Sequence, residues 1–272
     1  MFNYSQRCGN ERASAAVRLR GVSKRFGPKQ AVHPLDLTLH RGEVFAFLGP
    51  NGAGKTTTLK LSTGLLRSDT GEVEVCGHDM QAEPQQAKQH IAFVPDQPFL
   101  YDKLTGREFL AFACDMYGVP DDVAERRLAE LDDRLEMRTF LDQLAEAYSH
   151  GMKQKVAIAA AMIHAPSLLV VDEPIIGLDP RTIRVIKDTF REIADGGGTV
   201  FMSTHTLDVA EAVADRIGII HEGRLIALGT LEELRAANPG ERLEDLFLRM
   251  TGARLNGAAR AEPDFAAGGL DG

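Results

Sequence analysis

The sequence predicts an α/β fold with a mainly parallel core sheet, an antiparallel β-subdomain and an inserted helical subdomain. Three observations carry this. Four short apolar runs, each followed by turn or helix-start residues, have the pattern of strands buried on both faces. Three earlier runs alternate apolar and polar residues, as strands with one wetted face do. Between residues 97 and 165 the periodicity becomes helical and no strand pattern occurs.

The elements follow in chain order. Residues 1–16 are polar and read as a mobile tail. Residues 17–19, 35–39 and 72–75 alternate apolar and polar side chains and supply the half-exposed antiparallel sheet. Val44–Leu48 (VFAFL) is the first buried strand, followed by a helical stretch over 57–66, and Ile91–Val94 is another short strand. In the insert, Thr105 and Glu108 form a capping-box pair ahead of Phe109, Phe112, Ala113 and Met116, an apolar stripe at helical spacing. Residues 121–147 set periodic leucines in a dense run of charge, which reads as the solvated face of the insert. Buried strands resume at 167–171 (SLLVV), 199–203 (TVFMS) and Arg216–His221 (RIGIIH). Residues 17–236 make the main domain, 237–252 a C-terminal helical extension, and 253–272 a second mobile tail rich in Ala, Gly and Arg.

Composition narrows the function. The 272 residues include 44% hydrophobic and 26% charged, which excludes global disorder. With 31 Lys+Arg against 39 Asp+Glu the net charge is −8, so no nucleic-acid partner recognised through overall charge is expected. No run approaches the ~18 apolar residues of a membrane span; the nearest, 156–171, is broken by His164 and Pro166. Residues 1–16 hold no apolar signal core and carry Arg7, Glu11 and Arg12. Cys8, Cys76 and Cys114 are too few and too widely spaced for a disulfide framework or a zinc site. A cytoplasmic chain is the expectation.

Gly49, Pro50, Asn51, Gly52, Ala53, Gly54, Lys55 and Thr56 match G-x-x-x-x-G-K-[ST], the phosphate-binding loop, between a buried strand and a helix that continues through Thr57. Glycines let successive backbone N–H groups converge on a polyphosphate, and the helix N-terminus adds positive potential. Lys55 reaches the β- and γ-phosphates, and the Thr56 hydroxyl ligates Mg²⁺. A second strand ends in Asp172-Glu173, at the edge where ligands of open α/β sheets bind. Asp172 suits the Mg²⁺ shell and Glu173 the polarisation of an attacking water. An acidic strand end alone is usually a helix cap; the phosphate loop changes that reading. These features place the chain among α/β P-loop NTPases.

Between the two motifs stands Tyr148-Ser149-His150-Gly151-Met152, followed by Lys153-Gln154-Lys155. Here the chain resembles the ATP-binding subunits of ABC transporters, whose signature is written LSGGQ. The resemblance runs from about residue 17 to 252. Residues 93–110 and the run YSHGMKQK most resemble bacterial subunits paired with exporter-type permeases. It implies that Ser149 and the amides of His150, Gly151 and Met152 bind the γ-phosphate of ATP held by the other subunit, although His150 and Met152 replace the family's Gly and Gln. It also implies that Asp179, in Gly177-Leu178-Asp179-Pro180, crosses the dimer interface, that His205 senses the γ-phosphate, and that Phe26 stacks on adenine. Residues 17–236 are then the ATPase domain. The family carries Gln after the strand ending Val94-Pro95; here Asp96 holds that position and Gln97 follows. Gln97 is expected to take the Mg²⁺ and water contact, with Asp96 turned away. Phe99, Leu100 and Tyr101 are expected on a surface that meets the membrane partner.

The resemblance therefore implies an ATPase using ATP and Mg²⁺, peripheral on the inner membrane face through a separate permease, and a homodimer or a pair with a second ATPase subunit. The alternative is a soluble ABC ATPase of ribosome-associated or DNA-repair type. A single phosphate loop argues against the first. The short stretch from Lys55 to Ser149, filled by the helical insert, argues against the second.

Overall fold

The computed structural model describes residues 15–175, 178–237 and 243–251. Of the two expected tails, residues 1–14 and 253–272 lie outside the described residues, as does Gly177. Ala15 and Ala16 do not belong to a tail. They open strand β1 (Ala15–Phe26) and are buried, with Ala16 O accepting from Cys76 N at 2.9 Å.

β1 pairs antiparallel with β2 (Lys29–His40) and with β4 (Thr70–Val75), and β5 (His78–Asp79) completes a sheet ordered β2-β1-β4-β5. Between β2 and β4 the chain enters the second sheet through β3 (Val44–Leu48). There β3 is joined by β6 (Ile91–Val94), β7 (Leu168–Asp172), β8 (Thr199–Thr204), β9 (Arg216–His221) and β10 (Arg224–Gly229), in the order β10-β9-β3-β8-β7-β6. All neighbours pair parallel except β10, which returns antiparallel along β9.

The continuous apolar runs are explained by the two faces of this sheet. Phe45 and Phe47 of β3 face the antiparallel sheet and meet Phe201 of β8, with ring centroids 5.6 and 5.9 Å apart. Val44, Ala46 and Leu48 alternate to the other face and join the core beneath the helices. Both faces are dry, so no polar position interrupts the strand. Helix α1 (Lys55–Ser62) packs between the sheets, with Leu59 and Leu61 in the same cluster as Val17 and Leu19.

After α1 come the short α2 (Pro84–Gln89) and then the insert: α3 (Gly106–Met116), α4 (Asp121–Arg134), a single 3-10 turn at Ala145–Ala147, and α5 (His150–Met162). The expected capping box forms: Thr105 Oγ1 accepts from Glu108 N at 3.2 Å and Glu108 Oε2 accepts from Thr105 N at 2.8 Å. The expected stripe does not form the core face of α3. It splits: Phe112 and Met116 are exposed and Phe109 is half-buried, while Ala113 is buried together with Leu110 and Cys114 from outside the stripe. α3 is apolar on two faces; spacing alone cannot say which one packs inward.

Helices α6 (Pro180–Asp195), α7 (Leu207–Val213), α8 (Leu231–Ala236) and α9 (Leu243–Thr251) complete the described chain. Arg134 of α4 pairs with Glu192 of α6 at 2.6 Å, fastening the insert to the core. Among the described residues, no helix is long and apolar enough to cross a membrane.

Candidate active site

Because β3, β6, β7 and β8 run parallel, the residues after their ends share one edge of the sheet. The 49–54 loop follows β3 and is shaped by contacts that only glycine permits. A Cβ on Gly49 would lie 2.4 Å from Ile220 O, and one on Gly54, at φ 109°, would lie 2.6 Å from Ala31 O. Gly54 is also the N-cap of α1 and supplies no side-chain acceptor, so backbone donors at that helix end are left for an anion. Lys55 is only 5% exposed. Its Nζ donates to Gly49 O at 2.8 Å and Pro50 O at 3.3 Å, and pairs with Glu173 Oε1 at 3.3 Å.

Asp172 ends β7 and is buried. Glu173 follows in a left-handed backbone at φ 49°, an uncommon conformation for a residue with a side chain. Ser203 on the adjacent β8 holds both. Its hydroxyl donates to Asp172 Oδ1 and accepts from Glu173 N at 3.1 Å. The other Glu173 oxygen, Oε2, lies 3.1 Å from His205 Nδ1. Glu173 thus stands between a lysine at the start of α1 and a histidine just after β8. Ser203 was not singled out in the sequence; its strand-end position next to His205 was the available signal.

A cleft of about 280 Å³ opens at this edge. Phe26, Asn51, Gly52, Gly54, Lys55, Thr56, Thr57, Asp96 and Glu173 line it. Phe26 is 50% exposed at the tip of β1. Gly49, Pro50 and Ala53 shape the loop from behind: Ala53 N donates to Pro50 O at 3.2 Å, and Ala53 O accepts from Gly223 N at 2.8 Å. In the next loop Asp96 is not turned away as expected. Asp96 lines the cleft, and Gln97 is not among its lining residues. The parallel register Val94↔Val171 sets residue 96 beside the end of β7, and Asp96 Oδ1 accepts from the adjacent Gln97 N at 2.9 Å.

The remaining expected nucleotide-binding residues stand elsewhere. Ser149 N-caps α5, its Oγ accepting from Met152 N at 3.3 Å. Asp179 N-caps α6, accepting from Arg181 N and Thr182 N at 3.0 Å and from Thr182 Oγ1 at 2.6 Å. Those bonds, the Thr182 hydroxyl first, hold its carboxyl below the usual range. A Cβ on Gly151 would sit 3.5 Å from Leu178 Cδ2, so the two helix starts adjoin. None of Ser149, His150, Gly151, Met152 and Asp179 lines the cleft. Within one chain the expected residues form two patches.

Residues 32–176 match the family described as ABC transporter. The linearmycin resistance ATP-binding protein of Bacillus subtilis (strain 168) is 36% identical over 242 residues, which span 89% of this chain and 76% of that protein. The chain belongs to the ABC transporter family. The daunorubicin resistance ATP-binding protein of Streptomyces coeruleorubidus is 38% identical to this ABC subunit over 240 residues, spanning 88% of this chain and 76% of that one. A solved ATP-binding subunit of an ABC transporter superposes with a TM-score of 0.82 at 32% identity, covering 86% of this chain and 99% of that chain. This chain is accordingly an ATP-binding, ATP-hydrolysing ABC subunit, and the non-transport alternative is not favoured.

Proposed function

We propose that this ABC subunit energises export of a toxic compound through a separate membrane permease, working as a head-to-tail dimer on the inner face of the membrane. The single observation that carries the dimer is the separation of the two patches. The cleft holds the phosphate loop and Glu173, while Ser149 to Met152 and Asp179 lie outside it. Two copies facing in opposite directions bring one chain's cleft against the other's α5 and α6 starts. A second ATPase chain with the same patches would serve equally.

In each cleft the α1 backbone donors and Lys55 hold the β- and γ-phosphates, and the exposed Phe26 ring is available to adenine. Thr56 and Asp172 offer oxygen donors of the kind Mg²⁺ prefers, and these two would hold it. Bound there, Mg²⁺ neutralises charge on the phosphate oxygens. Glu173 orients water and accepts its proton as the oxygen attacks the γ-phosphorus and the β–γ bridge bond breaks, giving ADP and phosphate. His205 Nδ1, beside Glu173 Oε2, fixes that carboxylate.

Export is supported by the two resistance proteins above, and docking by a groove of about 460 Å³ beside the insert. Its walls include Phe99, Phe109, Phe112 and Tyr117, with Ala157 and Ala160 of α5 among the small residues. Tyr101 stacks edge-on against Phe99 and Phe112 at 5.7 and 5.9 Å. Leu100, expected on this surface, is buried instead. The test is co-expression with a candidate multi-span permease and ATP-dependent uptake of daunorubicin by inverted vesicles. Uptake that is abolished by Phe112→Ser, with the isolated subunit's melting unchanged, is expected. Full uptake by that variant would reject the groove as the docking site, and no uptake by the wild-type pair would reject daunorubicin as cargo.

A further inference from the structure

We propose that Asp96 makes nucleotide binding conditional on its cation, admitting the metal–triphosphate complex and rejecting metal-free ATP. The proposal rests on the nucleotide site described above and concerns a residue where this chain departs from the glutamine that its resemblance implies.

The charges around the cleft carry it. The cleft walls hold two lysines, Lys29 and Lys55, and two carboxylates, Asp96 and Glu173, with the Asp172 carboxylate buried directly behind. Lys55 already faces Glu173 at 3.3 Å. Asp96 has no cationic partner within ion-pair distance among the described residues. Among the described residues its carboxylate accepts one hydrogen bond, from Gln97 N to Oδ1 at 2.9 Å, which leaves its charge uncompensated on the cleft wall. A glutamine at this position would present a neutral amide. An aspartate presents a full negative charge to a ligand that itself carries several.

The sign of the effect follows. Metal-free ATP meets Asp96, Glu173 and Asp172, offset by Lys29, by Lys55, which already faces Glu173, and by the helix N-terminus. When a divalent ion accompanies the triphosphate, the same Asp96 oxygen becomes a hard donor for the ion, directly or through one of its waters. A neutral side chain would weaken the rejection and the attraction together. Asp96 is therefore a specificity-determining residue for the charge state of the nucleotide. Its influence should be strongest toward the γ-phosphate end, beside Lys55 and Glu173.

The variant Asp96→Asn keeps the Oδ1 acceptor for Gln97 N, so that bond is preserved while the charge is removed. Calorimetry with the non-hydrolysable analogue AMP-PNP, in EDTA and in Mg²⁺, gives the ratio of the two affinities. That ratio should fall by roughly tenfold in Asp96→Asn, the effect of one screened unit charge near a polyphosphate. Most of the change should come from tighter binding in EDTA. ADP should show a smaller change. Mn²⁺ titrated into the protein–AMP-PNP complex and followed by paramagnetic resonance should bind more weakly to the variant. An unchanged ratio together with unchanged Mn²⁺ affinity would overturn the proposal. So would a ratio that responds to Gln97→Ala and not to Asp96→Asn. Failure of the wild-type protein to bind AMP-PNP in either buffer would instead overturn the nucleotide site on which the proposal stands.

Discussion

At the scale of single residues, the site is an arrangement of charges whose positions depend on a neutral hydroxyl. Ser203 donates to Asp172 and accepts from the Glu173 amide, so it sets both carboxylates at once. Ser203→Ala removes the donor from a buried carboxylate, and loss of such a bond costs about 1–3 kcal/mol. The urea midpoint should fall accordingly, and turnover should fall further than AMP-PNP affinity, because the misplaced group is the one proposed to orient water. Equal losses in affinity and turnover would show that Ser203 acts on binding alone. Lys55→Ala should act oppositely, weakening ATP binding by roughly tenfold to a hundredfold, as expected for losing a charge-assisted hydrogen bond. Unchanged affinity in calorimetry would place the nucleotide elsewhere. The phosphate loop and the Asp172-Glu173 pair were legible in the sequence because their chemistry demands a fixed local order. Ser203 was not, since its role arises only when β8 pairs with β7 in the register Asp172↔Ser203. The facing of Asp96 was hidden for the same reason: a cross-strand register fixes it, and no local spacing reports that register.

At the scale of elements, the strands were legible and the packing of the helices was not. A strand dry on both faces must be apolar throughout, so VFAFL announces itself. The antiparallel β10 is half-buried and mixed in character, and no run marked it. The starts of α3, α5 and α6 are where element and site meet. Tyr148, immediately before the α5 cap, sends its hydroxyl to Phe140 O at 2.9 Å and accepts from Gly106 N at 3.0 Å, tying the first turn of α3 to the signature segment. Burial pushes its phenol pKa up, so it remains a neutral donor. Tyr148→Phe orphans the buried Gly106 amide at a cost of about 1–3 kcal/mol. Exchange protection at the α3 start should drop even though the ring stays packed on Phe140. Asp179 gives a pH-dependent counterpart. Its hydrogen bonds hold its folded pKa below the ordinary carboxylate value, so its stabilisation is complete above the unfolded value and is lost as pH falls through the folded one. The stability difference between wild type and Asp179→Ala should therefore be constant near neutrality and shrink on acidification below the usual carboxylate range. A difference that grows on acidification would contradict the cap geometry.

At the scale of the whole molecule, the cleft and the signature patch are linked through the chain, though they do not face each other. Gln154 of α5 is buried, and its Nε2 lies 3.5 Å from Pro174 O, one residue beyond Glu173. This contact ties α5 to the backbone directly behind Glu173, the proposed catalytic carboxylate. Closure of two chains would place one copy's Ser149 patch over the other's nucleotide, and opening would follow when the γ-phosphate leaves. Glu173→Gln isolates the closed state. The amide keeps the size of the side chain and can still bond to His205, but it no longer accepts a proton or balances Lys55. Turnover should fall by roughly 10²–10⁴-fold, the range for losing a general base. Binding should be preserved or strengthened, because a negative charge near the triphosphate is gone and Lys55 is freed from its 3.3 Å ion pair. With Mg²⁺ and ATP the variant should elute from gel filtration as a dimer, and without nucleotide as a monomer. Adding Ser149→Arg, which puts a bulky side chain at the start of α5, should restore the monomer in ATP while leaving single-chain nucleotide affinity intact. Wild-type turnover in Glu173→Gln would remove Glu173 from the chemistry. A dimer that persists in the double variant would show that the chains associate through a face other than the one carrying the signature.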